Sequence, residues 1–162
     1  MPAVVDAESL LDRAGCSEQV KAHCRAVRDI SLLYVEPGTP DADLVEVGAM
    51  LHDIGRGATH SILHAQVGAD LCRKFGIPEE ICRIVERHTG AGLTPDECSL
   101  IGLAPRDCMP VTLAERIVAH ADNIACGSGE CSLERLLLEN ARLPKRIRKR
   151  ICRLAREIEL FR

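Results

Sequence analysis

Apolar residues recur at spacings of three and four through most of this chain, the signature of amphipathic helices rather than of strands. Residues 7 to 14 predict a short helix closed by Gly15, and Ser17 is placed to cap a second helix that runs to about Val35. Val20, His23, Val27, Ile30 and Tyr34 form the apolar stripe of that helix, opposite the solvated Lys21, Arg25 and Arg28. Glu36-Pro37-Gly38-Thr39-Pro40 breaks it, and a third helix begins near Asp41. From Asp43 to Leu51 this third segment is apolar almost all round, which predicts the central helix of a bundle, and it delivers His52-Asp53 at its carboxyl end. A helix over about Ser61 to Phe75 places His64, Val67, Gly68, Leu71, Cys72 and Phe75 on one face. Pro78 then opens a helix whose stripe is Ile81, Ile84, Val85 and His88. Thr94-Pro95-Asp96-Glu97 leads into a short helix, and the segment from Thr94 to Pro110 reads either as a lid over a pocket or as a packed connector. Thr112-Leu113-Ala114-Glu115 is a capping-box pattern, starting a helix with Val118, Ala121, Asp122 and Ala125 on one face. His120 points away from that face, toward the surface. Ser132 caps a short helix to about Ala141, and Pro144 starts a last amphipathic helix carrying Ile147, Ile151, Leu154, Ile158 and Phe161.

Composition narrows this to an all-α helical bundle. With 162 residues the chain makes one domain, 1–162, with a core over about 18–126 and a C-terminal helical extension over 127–162. Hydrophobic residues make up 46% but aromatics only 2%, so the interior is built of Leu, Ile, Val and Ala, side chains that suit close helix packing. A net charge of −3 names no partner. No run approaches the roughly 18 apolar residues of a membrane span, and Met1-Pro2-Ala3-Val4-Val5-Asp6 lacks the pattern of an export signal, so a cytoplasmic protein with no membrane partner is expected. Nine cysteines, odd in number and without a Cys-x-x-Cys, argue against a disulfide framework and a thiolate zinc site. Cys24, Cys72 and Cys82 read as small core hydrophobes, which implies a reducing compartment. Lys145, Arg146, Arg148, Lys149 and Arg150 form a basic block without interleaved aromatics, read as a solvated face, so nucleic acid is not an expected partner.

The polar residues on apolar stripes carry the chemistry. An unpartnered imidazole or carboxylate is costly to bury, and His23, His64, His88 and Asp122 all lie on such stripes. His52-Asp53 supplies two more donors in sequence; adjacent helical residues diverge by about 100°, which lets the imidazole bind one ion while the carboxylate lies between two. Imidazole and carboxylate together suit Fe, Mn, Zn, Ni or Co. Gly55-Arg56-Gly57 follows directly, and the planar fork of Arg56 matches phosphate oxygens. His60 precedes the next helix in a loop, where it serves as a proton donor or substrate contact or has no role at all.

The ordered set His23, His52-Asp53, His64, His88 and Asp122 resembles the HD-domain metal-dependent phosphohydrolases, with His52-Asp53-Ile54-Gly55 in the HDIG form. His64-Ala65-Gln66-Val67-Gly68-Ala69, Arg87-His88-Thr89 and Ala121-Asp122-Asn123-Ile124 look like the di-iron branch that includes the symmetrical diadenosine tetraphosphate hydrolases. The resemblance covers about residues 18 to 126; Arg56 stands where many members carry Lys. It implies a fold, an HD-domain helical bundle around its metal site, and two divalent transition-metal ions, Fe first, with Mn, Zn, Ni or Co as substitutes. It also implies ligands His23, His52, Asp53, His64, His88 and Asp122, with Asp53 bridging and a metal-activated water attacking phosphorus. The catalytic set is Asp53, Arg56 and His60, and Arg56 and Arg106 contact the substrate, a small-molecule nucleotide such as a diadenosine polyphosphate. A mononuclear 5'-nucleotidase would use only His23, His52, Asp53 and Asp122. A cyclic-nucleotide phosphodiesterase, a di-iron oxygenase and a non-catalytic nucleotide sensor are the other readings, and a homodimer is left open.

Overall fold

The structure, a computed structural model, describes residues 5–127 and 129–162. Its helices are α1 (Ala7–Arg13), α2 (Glu18–Ser31), α3 (Pro40–Leu51), α4 (His64–Lys74), α5 (Glu79–Glu86), α6 (Pro95–Leu100), α7 (Leu113–Ile124), α8 (Leu133–Glu139) and α9 (Lys145–Ile158). Two-residue strands β1 (Ala125–Cys126) and β2 (Gly129–Glu130) pair antiparallel between α7 and α8. The all-α reading therefore holds. No described helix is long and apolar enough to cross a membrane.

The local signals explain most boundaries. Ser17 Oγ accepts from the Val20 amide at the start of α2, and Thr112 with Glu115 closes a reciprocal capping box at α7. The second helix ends earlier than its stripe predicts: α2 stops at Ser31 and Leu32–Tyr34 tighten into a 3-10 turn. Likewise α4 begins at His64 rather than Ser61, because the Ser61 hydroxyl takes the Leu63 amide and its carbonyl takes the His64 amide, closing a turn first.

α3 is the axis of the bundle, packed against α2, α5 and α7. One side of it joins a core of Val27, Ile30, Val45, Ile84, Ile117 and Val118, to which α8 and α9 add Leu136, Ile151, Leu154 and Ile158. The other side joins Leu11, Val20, Cys24, Leu51, Ile54, Cys72 and Val85. Cys24, Cys72 and Cys82 are buried free thiols, as core-filling predicts. Cys126 and Cys131, however, form a disulfide that closes the β1–β2 turn, a local link that the odd count and irregular spacing concealed.

One further expectation is corrected. His120 is not at the surface: it is 1% exposed, edge-on to Tyr34, and its Nε2 donates to Glu159 at 2.9 Å. α9 covers that side of α7, a tertiary contact that the stripe of α7 alone could not show. The 94–110 segment, read either as a lid or as a connector, takes the second form. Gln66 holds Ala104 by both its amide ends, Leu93 and Cys108 pair their backbones, and Cys98, Leu103 and Cys108 form a small core of their own. It is a packed connector.

Close approach fixes the Gly residues after the His-Asp doublet. A Cβ on Gly55 would overlap the His64 carbonyl oxygen and come within 2.8 Å of the Gly68 amide, all backbone that cannot rotate away. Gly55 thus lets α4 lie directly on the turn that follows Asp53. Gly55→Ala should lower stability by about 3 kcal/mol or more, whereas Gly129→Ala, which meets nothing within 4 Å, should stay within about 0.5 kcal/mol in urea unfolding. A second prediction concerns acid stability. The hydrogen-bonded Arg150 guanidinium, against the opposing effect of burial, holds the Glu97 carboxyl down at about 2 from its ordinary 4.5. That contribution is complete above pH 4.5 and is lost as pH falls toward 2. Glu97→Gln should be less stable at neutral pH and show a flatter acid limb across that window, measured by thermal unfolding against pH.

Candidate metal centre

Five helices deliver six donors to a common point. α2 brings His23 from its inner face; α3 ends at Leu51, so His52 is its C-cap and Asp53 the first residue beyond; His64 opens α4; His88 lies just past α5; and Asp122 comes from the last turn of α7. His52, Asp53, His64 and His88 are buried, while the His23 side chain is 35% exposed, which marks the open side.

Backbone carbonyls set the tautomers. Nδ1 of His52 lies 2.7 Å from the Ala49 carbonyl, Nδ1 of His64 lies 2.9 Å from that of Ser61, and Nδ1 of His88 lies 2.6 Å from that of Val85. A carbonyl only accepts, so each Nδ1 carries a proton, and each ring, in the neutral form that a metal requires, presents an Nε2 lone pair inward. In all three cases the carbonyl belongs to the residue three positions earlier.

These lone pairs surround Asp53 on two sides. Oδ1 lies 3.2 Å from His64 Nε2 and 3.3 Å from His88 Nε2, and those two nitrogens are 3.1 Å apart. Oδ2 lies 3.6 Å from both His23 Nε2 and His52 Nε2. Asp122 Oδ1 closes the second side, 2.9 Å from His23 Nε2 and 3.4 Å from His52 Nε2. His52 Nε2 and Asp53 Oδ1 are fully buried without any hydrogen-bond partner. Acceptors converging without a proton between them repel, and a buried unpaired acceptor is costly. A cation at their centre removes both penalties, and an all-nitrogen and oxygen set of this kind fits a divalent transition metal.

The electrostatics agree. Burial opposes charge on Asp53 and Asp122, yet the imidazole of His52 and its neighbours hold both carboxyls well below the usual range. Burial likewise lowers His52, and the two carboxylates overcome it to raise it well above the ordinary value. The pocket is built for positive charge.

Around this cluster the other expected residues divide. Arg56 sits on its rim: Nε donates to Asp53 Oδ2 at 3.1 Å and Nη1 to the His60 carbonyl at 3.3 Å. His60 itself is exposed in the turn before α4. Arg106 is not brought to the cluster; its guanidinium is forked onto Asp70 and also bonded to Glu86, each at 2.9 Å. Sequence reasoning missed Asn123, whose Nδ2 donates to the Gly90 carbonyl at 2.9 Å and ties the loop after His88 to the helix that carries Asp122. Its place beside Asp122 was the one available signal.

A family model described as HD domain matches residues 20–126. An uncharacterized protein of Methanocaldococcus jannaschii is 44% identical over 124 residues, 74% of this chain and 73% of its own length. A tRNA (cytidine(56)-2'-O)-methyltransferase of Thermoplasma volcanium is 39% identical over 128 residues, which is 79% of this chain but 38% of that protein. Ribonuclease Y of Aquifex aeolicus is 32% identical over 78 residues, 47% of this chain and 14% of its own. No solved structure matches the chain significantly.

Substitution separates the buried histidines. His64→Ala or His88→Ala should lower the metal content measured by elemental analysis, because each removes an Nε2 lone pair beside Asp53. His120→Ala should leave the metal content unchanged and lower the melting temperature, since it loses only the Glu159 bond and core packing.

Proposed function

The chain belongs to the HD domain family, and from that premise we propose that it is a metal-dependent phosphohydrolase whose His/Asp cluster holds two divalent ions, iron foremost, and cleaves a phosphoric ester or anhydride of a nucleotide. The observation that carries the reading is the division of Asp53: one oxygen faces His64 and His88, the other His23 and His52. His64, His88 and Asp53 Oδ1 would hold one ion; His23, His52, Asp122 and Asp53 Oδ2 would hold the other. Bound there, divalent ions neutralise charge on phosphoryl oxygens and lower the pKa of water.

The chain's own groups do the rest. Arg56, partly exposed and already anchored on Asp53 and the His60 carbonyl, has further N–H donors that would bind a phosphoryl oxygen on the open side. His60, exposed in the adjoining turn, would give a proton from its ring nitrogen to the leaving oxygen. Arg106 has no part in substrate contact, because its fork is already neutralised by Asp70 and Glu86.

For the substrate, the residue pattern around His64, His88 and Asp122 favours a diadenosine polyphosphate. A second reading, a phosphodiester of RNA, is supported by the relatives named Ribonuclease Y and tRNA methyltransferase. Both relatives are matched over less than half their own length, so neither name transfers an activity whole.

Iron- or manganese-loaded protein should hydrolyse one of these classes, and chromatography of products from diadenosine tetraphosphate, nucleoside monophosphates, cyclic nucleotides and a short RNA decides which. Arg56→Ala should keep its metals and lose about tenfold to a few hundredfold in kcat/KM, the ~1.5–3 kcal/mol of a charge-assisted hydrogen bond. Unchanged kinetics would reduce Arg56 to a support for Asp53. A mononuclear nucleotidase would replace this reading if one ion bound and His64→Ala left the count unaltered.

A further inference from the structure

The last helix concentrates positive charge, most of which the fold does not pair. Between Lys145 and Arg156 there are seven basic residues and no acidic one, while the rest of the chain sets fourteen basic residues against all twenty-four acidic ones. The apolar stripe of α9, Ile151, Leu154, Ala155 and Ile158, is buried in the core, so its cations are forced onto the outer face. Lys145, Arg146, Arg148, Lys149, Arg153 and Arg156 are exposed. Among the described residues Glu97 pairs with Arg146 and Arg150, and Lys145, Arg148, Lys149, Arg153 and Arg156 have no carboxylate within salt-bridge distance.

These cations are arranged as a groove. Lys145, Lys149 and Arg153 recur every four residues on one ridge, with Arg146 and Arg150 on the next, and these five residues alone line a surface groove of about 560 Å3. Arg146 and Arg150 are tied to Glu97, but no such structural role accounts for Lys145, Lys149 and Arg153. Lys145 occupies the first turn of α9, where the helix dipole disfavours positive charge, and that turn carries no acidic residue of its own. The groove also adjoins the metal centre through the chain: Arg150 donates to the Gly92 carbonyl at 2.9 Å, and Ile151 lies against Gly90, in the loop that leaves His88.

We propose that this face of α9 binds the phosphodiester backbone of RNA. Unpaired cations repeated along a helix match a regular row of phosphates, whose neutralisation releases condensed counterions. An anionic membrane fits less well, because Ile151, Leu154, Ala155 and Ile158 of α9 are sealed in the core and cannot insert. The choice of RNA rests on the RNA reading of the substrate given above; the binding surface does not depend on cleavage.

The test is fluorescence anisotropy with a labelled 20-nucleotide RNA, a DNA duplex of equal length, and phosphatidylserine-containing vesicles by sedimentation. The wild-type chain should bind RNA at micromolar concentration, with log K falling against log salt with a slope of about −3 to −4, as roughly five phosphate contacts require. Lys145→Glu/Lys149→Glu/Arg153→Glu should weaken binding at least about thirtyfold and flatten that slope toward −1, while melting at or above the wild-type temperature because the first-turn dipole is now complemented. Lys149→Gln/Arg153→Gln, a milder change, should give an intermediate loss. Binding is read by anisotropy without reference to cleavage, so the surface and the metal site are judged separately and failure of hydrolysis leaves the binding result standing. Wild-type affinity in the folded charge-reversed protein overturns the proposal. So does tighter binding to the DNA duplex or the vesicles than to RNA.

Discussion

The burial of one carboxylate among four imidazoles is the constraint on which this structure turns. Asp53 is nearly inaccessible, its Oδ1 receives no hydrogen bond, and three of the surrounding rings have their Nδ1 protons committed to backbone carbonyls. A buried carboxylate facing inward lone pairs is unfavourable by itself and becomes favourable once positive charge lies among them. The helices can be understood as the scaffold that keeps this set together: α3 ends where its last turn can present His52, and α4 lies on Gly55 closely enough to bring His64 to Asp53 Oδ1.

The same economy appears in the tautomer control. No side chain is assigned to orient the rings; the carbonyl three residues earlier does it at Ala49, Ser61 and Val85. At His52 and His88 this happens at or just past a helix end, where carbonyls lack intrahelical partners. Helix termination and ligand orientation are one structural event. Arg56 extends the pattern outward, joining the buried carboxylate to the rim through a single guanidinium.

Much of this was legible in the chain because helical periodicity reports facing. His23, His64, His88 and Asp122 each stood on an apolar stripe, and the structure gathers them with His52 and Asp53. Periodicity reports only one helix at a time, which is why His120 was misplaced: its partner Glu159 lies far along the chain, just past α9. The ion pairs of Arg106 were hidden for a related reason, since Asp70 and Glu86 come from two other helices and no local pattern links them. The Cys126–Cys131 link and the two-residue strands around it depend on a turn whose ends meet, and spacing alone does not show that. The basic block at 145–150 was read as a solvated face; the structure adds that five of the exposed α9 cations are unpaired among the described residues and that the apolar side is sealed.

Anomalous diffraction from crystals of protein purified without added metal distinguishes two ions from one. Two peaks are expected on opposite sides of the Asp53 carboxylate, one against Oδ1 with His64 and His88, the other against Oδ2 with His23, His52 and Asp122. A single peak on the His23 side, with His64 and His88 turned away or bonded to water, would contradict a two-ion centre.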